Sequence, residues 1–182
     1  GVTCSVDILG EQVLSEAEAD RYAAQCGALL HELIRASERH AATLTCCGPA
    51  VNLSIKPSAL TPRFDPISPP RSIEQALARL LPICQAADAH GALINLDMEQ
   101  YDVRDLTLEL ARQILVHPRV GRRAELGIVI QAYLRDTEAV VEELLTWLAA
   151  HERPLTIRLV KGAYWDYEVT RAAQSRWPAP VY

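Results

Sequence analysis

No stretch of this sequence approaches the roughly 18 uninterrupted apolar residues that a membrane-spanning helix needs. The first fourteen residues carry Asp7 and Glu11 and no basic segment ahead of an apolar one, so no secretory leader is expected and the cytoplasm is the expected location. A basic excess is absent too: the formal net charge is −5, which argues against a nucleic-acid partner, since such binding calls for a basic face. The five cysteines (4, 26, 46, 47 and 84) are odd in number and form no C-x-x-C pair. A disulfide framework or zinc site is therefore not expected, and a reducing compartment fits better. The thiols read as small apolar fillers, with exposure expected, if anywhere, at Cys46–Cys47. Finally, no G-x-G-x-x-G follows any strand-like run, which counts against a dinucleotide-binding sheet.

What is there is alternation of two periods. Residues 2–8 are a short β-prone run. Ser15-Glu-Ala-Glu18 has the form of a capping box, and Tyr22, Cys26, Leu29, Leu30, Leu33 and Ile34 recur at helical spacing after it. Residues 50–56 form a second strand, and residues 57–70, with five prolines, must be a loop. A helix is expected to open at 72–75 and to kink or break near Leu81, because Pro82 cannot continue it. Strands over 92–97, 127–133 and 154–160 alternate with helices near 102–117 and along Val140, Val141, Leu144, Leu145 and Leu148. Residues 165–176 begin one more helix, and 180–182 could start a sixth strand.

Strands that are almost wholly apolar and separated by helices imply parallel pairing with helices over the sheet. Five such units in 182 residues extrapolate to roughly 290 for eight, within the range of a (β/α)₈ barrel. The expected class is therefore α/β, a (β/α)₈ barrel of which about five units are present, as a single partial domain over residues 1–182 with no second domain.

Barrel chemistry sits at the C-terminal ends of the strands. The polar residues there are Asp7, Lys56, Asp97, Glu99, Gln131, Tyr133, Arg158, Lys161 and Tyr164. Strand alternation puts Arg158 and Val160 on one face and Lys161 on the other or in the loop. Each has a plain structural reading: Lys56 as a rim counter-charge, Asp97 as a helix cap or partner of Arg158, Gln131 as a partner for barrel backbone. Arg158 is the hardest to explain that way, because a guanidinium buried in a strand needs an anion or several acceptors. Gly162 allows the backbone to approach a ligand closely. Tyr164 and Trp165 offer flat faces to a ring, whereas Trp147 and Trp177 read as packing residues. Asp97 and Glu99 could share a metal, but no histidine joins them, and no metal is expected. Three classes stay open on these grounds. One is a barrel enzyme holding a planar cofactor with Gln131 and Arg158 at its edge. The others are a Schiff-base lyase using Lys56 or Lys161 and a non-catalytic half-barrel scaffold.

The segments VNLSIKPSALTPRFDP (51–66), INLDMEQYDVRDLTLEL (94–110), GIVIQAYLRD (127–136) and IRLVKGAYWDYE (157–168), in that order, together resemble proline dehydrogenase. With SVDILGE (5–11) they are most similar to the proline dehydrogenase domain of large bifunctional PutA-type proteins. The resemblance implies FAD as cofactor, L-proline as substrate and Δ1-pyrroline-5-carboxylate as product, with a quinone as electron acceptor and peripheral membrane association of the parent protein. It implies that Lys56 faces the proline carboxylate, that Asp97 lies beside the flavin and orients substrate-binding groups, and that Tyr164 closes over the proline ring. Gln131 would bond the pyrimidine edge of the flavin, Arg158 would reach its N5, and Met98, Val129, Val160, Lys161, Gly162, Ala163 and Trp165 would line it. Pro57 stands where the family usually has leucine, which stiffens the strand end. Counterparts of the family's last three units, with an arginine pair for the substrate carboxylate, do not occur in residues 1–182. This stretch alone is accordingly expected to bind FAD poorly and not to turn over proline.

Overall fold

The computed structural model describes residues 4–9, 12–39, 48–122 and 124–182. Five strands, β1 (Val6–Asp7), β2 (Asn52–Ile55), β3 (Leu93–Leu96), β4 (Leu126–Gln131) and β5 (Thr156–Val160), alternate with five helices. These are α1 (Glu16–Arg39), α2 (Pro69–Ala89), α3 (Tyr101–Val116), α4 (Thr137–His151) and α5 (Trp165–Ser175). Every strand pairs in parallel with the next, in the spatial order β1-β2-β3-β4-β5. That sequential parallel order is the wall of a β/α barrel, as expected, and not the reversing order of a doubly wound sheet.

The helices start and stop for local reasons. Ser15 Oγ accepts the Glu18 N–H at 3.3 Å, and the Glu18 carboxylate reaches back to the Leu14 N–H at 2.7 Å, so the capping box forms with its return bond displaced by one residue. α2 begins earlier than expected, with Pro69 and Pro70 in its first turn, where a missing N–H costs nothing. Of the kink or break expected near Leu81, the break does not occur: α2 runs through Pro82 to Ala89. Leu80, Leu81, Ile83 and Cys84 are all buried there, and this packing holds the helix on the sheet despite the lost hydrogen bond. α4 and α5 both end on a residue in the left-handed region, Glu152 and Arg176.

The main core lies between sheet and helices. Leu53, Ile55, Leu96 and Ile128 on the strands and Leu30, Leu80, Leu110, Ile114 and Leu144 on the helices are almost wholly buried, each worth roughly 1.5–3 kcal/mol of apolar burial. Trp147 packs against this core and stacks on His151 at 4.0 Å, whereas Trp177, also expected to pack, is exposed.

The inner face is different in kind. Ser54 on β2 and Asn95 on β3 are opposite each other in register, as are Asn95 and Gly127. Asn95 donates to Ser54 at 3.2 Å, and Ser54 shares a hydrogen bond with Ser5 at 3.1 Å. A Cβ on Gly127 would stand 2.9 Å from Asn95 Oδ1. Small and polar residues thus form the layer beneath the strand ends. Residues 180–182 make an isolated antiparallel bridge between Val181 and Leu134, and Tyr182 N–H donates to Tyr133 O at 3.0 Å.

Candidate active site

Alternation along each strand carries the inner face upward from that polar layer to Lys56, Asp97, Val129 and Arg158. Lys56 and Asp97 stand just past the ends of β2 and β3, and Arg158, two residues before the end of β5, reaches them across its register neighbour Val129 on β4. Asp97 Oδ2 accepts from Lys56 Nζ at 3.1 Å and Asp97 Oδ1 accepts from Arg158 at 2.8 Å. Asn95 Nδ2 adds a third, longer donor to Asp97 at 3.3 Å, and Asp7 from β1 lies 3.6 Å from the Lys56 ammonium. One carboxylate therefore holds two cations from opposite sides, which fixes both of their heads. Burial works against the Lys56 charge, but the hydrogen bond and charge of Asp97, helped by Asp7 and Glu99, outweigh it. The Lys56 pKa lies above the ordinary lysine value. Its main chain is fixed as well: Lys56 N–H donates at 3.1 Å to the hydroxyl of Tyr22, a buried residue of α1.

Arg158 departs from expectation. Its side chain is 44% exposed, because β5 has no strand on its far side among the described residues. Its pairing with Asp97 is nevertheless the anion that a guanidinium at this position was argued to need.

Gln131, at the end of β4, is 3% exposed. Its Nε2 donates to the Glu99 carbonyl at 3.2 Å, while its Oε1 is buried with no donor among the described residues. A buried amide oxygen without a donor is costly and points to a ligand N–H. Val129 and Met98 are buried beside it. The chain then leaves β5 as Lys161-Gly162-Ala163, of which Lys161 and Ala163 are exposed. Gly162 has φ +125°, and a Cβ there would stand 2.5 Å from the Tyr133 ring, so only glycine fits. The Tyr133 hydroxyl accepts the Tyr164 N–H at 3.3 Å. Trp165 opens α5, is 43% exposed, and donates from its indole to the Tyr182 carbonyl at 2.8 Å.

A cleft of about 820 Å³ opens over the strand ends, lined by Lys56, Ser58, Glu99, Arg63, Phe64 and Tyr164 among others. Tyr164 is half-buried at its mouth, with its pKa raised by burial, then by Glu99. The structure thus brings together Lys56, Asp97, Arg158, Gln131 and Tyr164, while Val160, Lys161, Gly162, Ala163 and Trp165 form the rim toward β5.

Sequence reasoning missed several members. Tyr22 gave no signal, since it reads as one residue of an apolar stripe. Ser54 and Asn95 could have been found, being polar residues inside otherwise apolar strands. Glu99 does not turn toward Asp97 but bonds Ser58, and among the described residues no group of three or more His, Cys, Asp or Glu is placed to hold a metal.

A parallel β/α barrel wall with its charged residues gathered at the strand ends is the architecture of a barrel enzyme. The chain belongs to the proline dehydrogenase family, a family of FAD-dependent oxidoreductases, whose model matches residues 1–182. It is 34% identical over 183 residues to the bifunctional protein PutA of Escherichia coli K12, covering 100% of this chain and 14% of that protein. It is 29% identical over 164 residues to proline dehydrogenase 1 of Bacillus subtilis 168, covering 90% of this chain and 45% of that protein. Among solved structures, proline utilization A of Bdellovibrio bacteriovorus, inactivated by N-propargylglycine, superimposes with a TM-score of 0.88 at 37% identity. That match covers 99% of this chain and 19% of the solved one. The proline dehydrogenase portion of PutA is thus the part this chain is similar to, and the chain spans under a fifth of the PutA proteins it matches.

Proposed function

We propose that this chain supplies the substrate-facing wall of an FAD-dependent proline dehydrogenase, which oxidises L-proline to Δ1-pyrroline-5-carboxylate. The observation that carries the reading is the Lys56–Asp97–Arg158 array at the strand ends, 3.1 and 2.8 Å across one carboxylate, beside the donorless Gln131 Oε1. That oxygen matches the N–H on the pyrimidine edge of a flavin, so the residues fit the cofactor. Gln131 and Arg158 would hold it, with Met98, Val129, Val160, Lys161, Gly162, Ala163 and Trp165 along its surface. A bound flavin would supply the hydride acceptor, its N5 taking the hydrogen and electron pair that leave proline C5.

The protein residues bind and orient. Lys56 attracts the proline carboxylate, and its raised pKa keeps it charged at neutral pH. Asp97 holds the Lys56 and Arg158 heads in fixed relation, so neither must reorganise when substrate arrives. Tyr164 covers the proline ring and limits water. The proton on the substrate nitrogen departs to solvent as the double bond forms.

The lyase reading is opposed on Lys56. A Schiff-base lysine needs its amine deprotonated at working pH, and the surroundings of Lys56 push the other way. A quinone acceptor, and membrane association at the surface of the parent protein, belong to the proposal through the family. Among the described residues no helix is long and apolar enough to cross a membrane.

The test is anaerobic mixing of the purified gene product that contains residues 1–182 with L-proline, followed by flavin absorbance. Bleaching that depends on proline, and its loss in Lys56→Met, is expected. An unbleached flavin, or a borohydride-trapped adduct on Lys56, would overturn the proposal. Residues 1–182 alone are expected to be inactive in the same assay.

A further inference from the structure

Glu99 is 6% exposed, and both of its carboxylate oxygens are taken by one residue of the neighbouring strand's loop. Ser58 N–H donates to Oε2 at 3.0 Å and Ser58 Oγ donates to Oε1 at 2.6 Å. Ser58 sits in a 3₁₀ turn, Pro57–Ala59, with Lys56 at its N-cap. The turn closes on Lys56 itself, whose carbonyl accepts the Ala59 N–H at 3.1 Å. Pulling Ser58 onto Glu99 therefore sets the direction in which Lys56 leaves the end of β2. The main chain of Glu99 does a second task, since its carbonyl accepts Gln131 Nε2 at 3.2 Å. That bond occupies the Gln131 amide nitrogen and leaves Oε1 as the atom with no donor among the described residues.

We infer that Glu99 is a positioning residue, which aims Lys56 at the substrate through its two bonds to Ser58 and presents the Gln131 oxygen through its own carbonyl. The inference rests on the proline-oxidising reading above. Its chemical logic is that a carboxylate gripping both hydrogens of one serine is a stiffer tie than either neutral bond alone. A lysine has four rotatable side-chain bonds, so fixing its backbone exit restricts where the ammonium can go. Glu99 also helps keep Lys56 charged, so its carboxylate serves the same cation twice. The two-residue spacing to Asp97 thus has a purpose other than metal binding: one carboxylate holds the ammonium, the other holds the turn from which it projects.

The test is steady-state kinetics with flavin content, on the gene product containing residues 1–182. Lys56 meets the substrate carboxylate in ground and transition states alike, so the effect belongs in KM more than in kcat. Glu99→Ala is expected to raise KM for proline by about tenfold or more, the scale of a lost charge-assisted tie, with a smaller change in kcat. Glu99→Gln can accept the Ser58 N–H and donate to Ser58 Oγ, so it should recover most of that affinity. Glu99→Ala combined with Ser58→Ala should be no worse than Glu99→Ala alone, because the two act through one contact. If Glu99→Ala does not fold, Ser58→Ala carries the same expectation of a raised KM. Unchanged KM in Ser58→Ala and Glu99→Ala, or fully additive losses, overturns the positioning role while leaving the proline reading intact. A wild-type protein whose flavin proline does not reduce overturns that reading, and the inference with it.

Discussion

The Arg158 guanidinium crosses an intervening strand to reach Asp97, β4 lying between β5 and β3, and closes to 2.8 Å. Val129 on β4 is the direct neighbour of Arg158 in register, and its short apolar side chain lets the arginine pass over it. One ion pair thus joins β5 to the end of β3 across β4, in a place where adjacent backbones already hold each other. The pair is therefore of more use to the site than to the sheet.

On the proposed proline-oxidising reading, Asp97→Asn in the gene product containing residues 1–182 is expected to lower kcat/KM for proline by more than about tenfold, because two cations lose the charge that orients them. Lys56 loses its main support against burial, so its pKa should fall from its raised value. The check is the pH profile of kcat/KM: its alkaline limb should move to lower pH in the variant, and a limb that stays put would count against the assignment.

Gly162→Ala combines two penalties. The backbone stands at φ +125°, and the new Cβ would overlap the Tyr133 ring at 2.5 Å. A loss of about 1–3 kcal/mol in denaturant unfolding is expected. In a Tyr133→Ala background, measured against that single variant, Gly162→Ala should cost less but still something, since the backbone strain persists. A cost that vanishes there would show that the clash alone mattered.

Thiol labelling separates the cysteines. Burial raises the Cys26 thiol from 9.0 to about 11 and the Cys84 thiol from 9.0 to about 12, while Cys4 is exposed. Cys46 and Cys47, where an exposed thiol was expected, lie outside the described residues. In native protein near pH 8, iodoacetamide should modify Cys4 and spare Cys26 and Cys84, as read by peptide mass spectrometry. The linkage has a definite sign. Between 9.0 and about 11 the folded state keeps a proton at Cys26 that the unfolded chain has released. The stability this group contributes is complete below that window and is lost as pH rises through it. Cys26→Ala should flatten that part of the stability curve.

Much of the architecture was legible because it is local. Apolar strands and stripes at helical spacing are written within each segment, and their alternation dictates parallel pairing. Arg158 shows the limit. Its segment reads as a buried strand, but burial depends on what lies beyond β5, and nothing within IRLVKGAYWDYE encodes that. Glu99 shows another: two carboxylates two residues apart would share a face along a strand, yet β3 ends at Leu96, and past that point alternation no longer governs direction. Pro82 shows a third, where packing on both sides overrode a residue whose local preference was plain.

The uneven burial of the central ion pair has an electrical consequence. Asp97 is 16% exposed and Arg158 44%, so water now screens one end of their attraction. Covering that side would lower the local dielectric constant and strengthen the same 2.8 Å contact roughly fourfold on going from water-like to surface-like surroundings. The pull that Arg158 exerts on Asp97, and so the share of that carboxylate left for Lys56, is set by whatever closes over β5. The charge balance of the site is in that sense a gauge of how far the barrel wall is sealed.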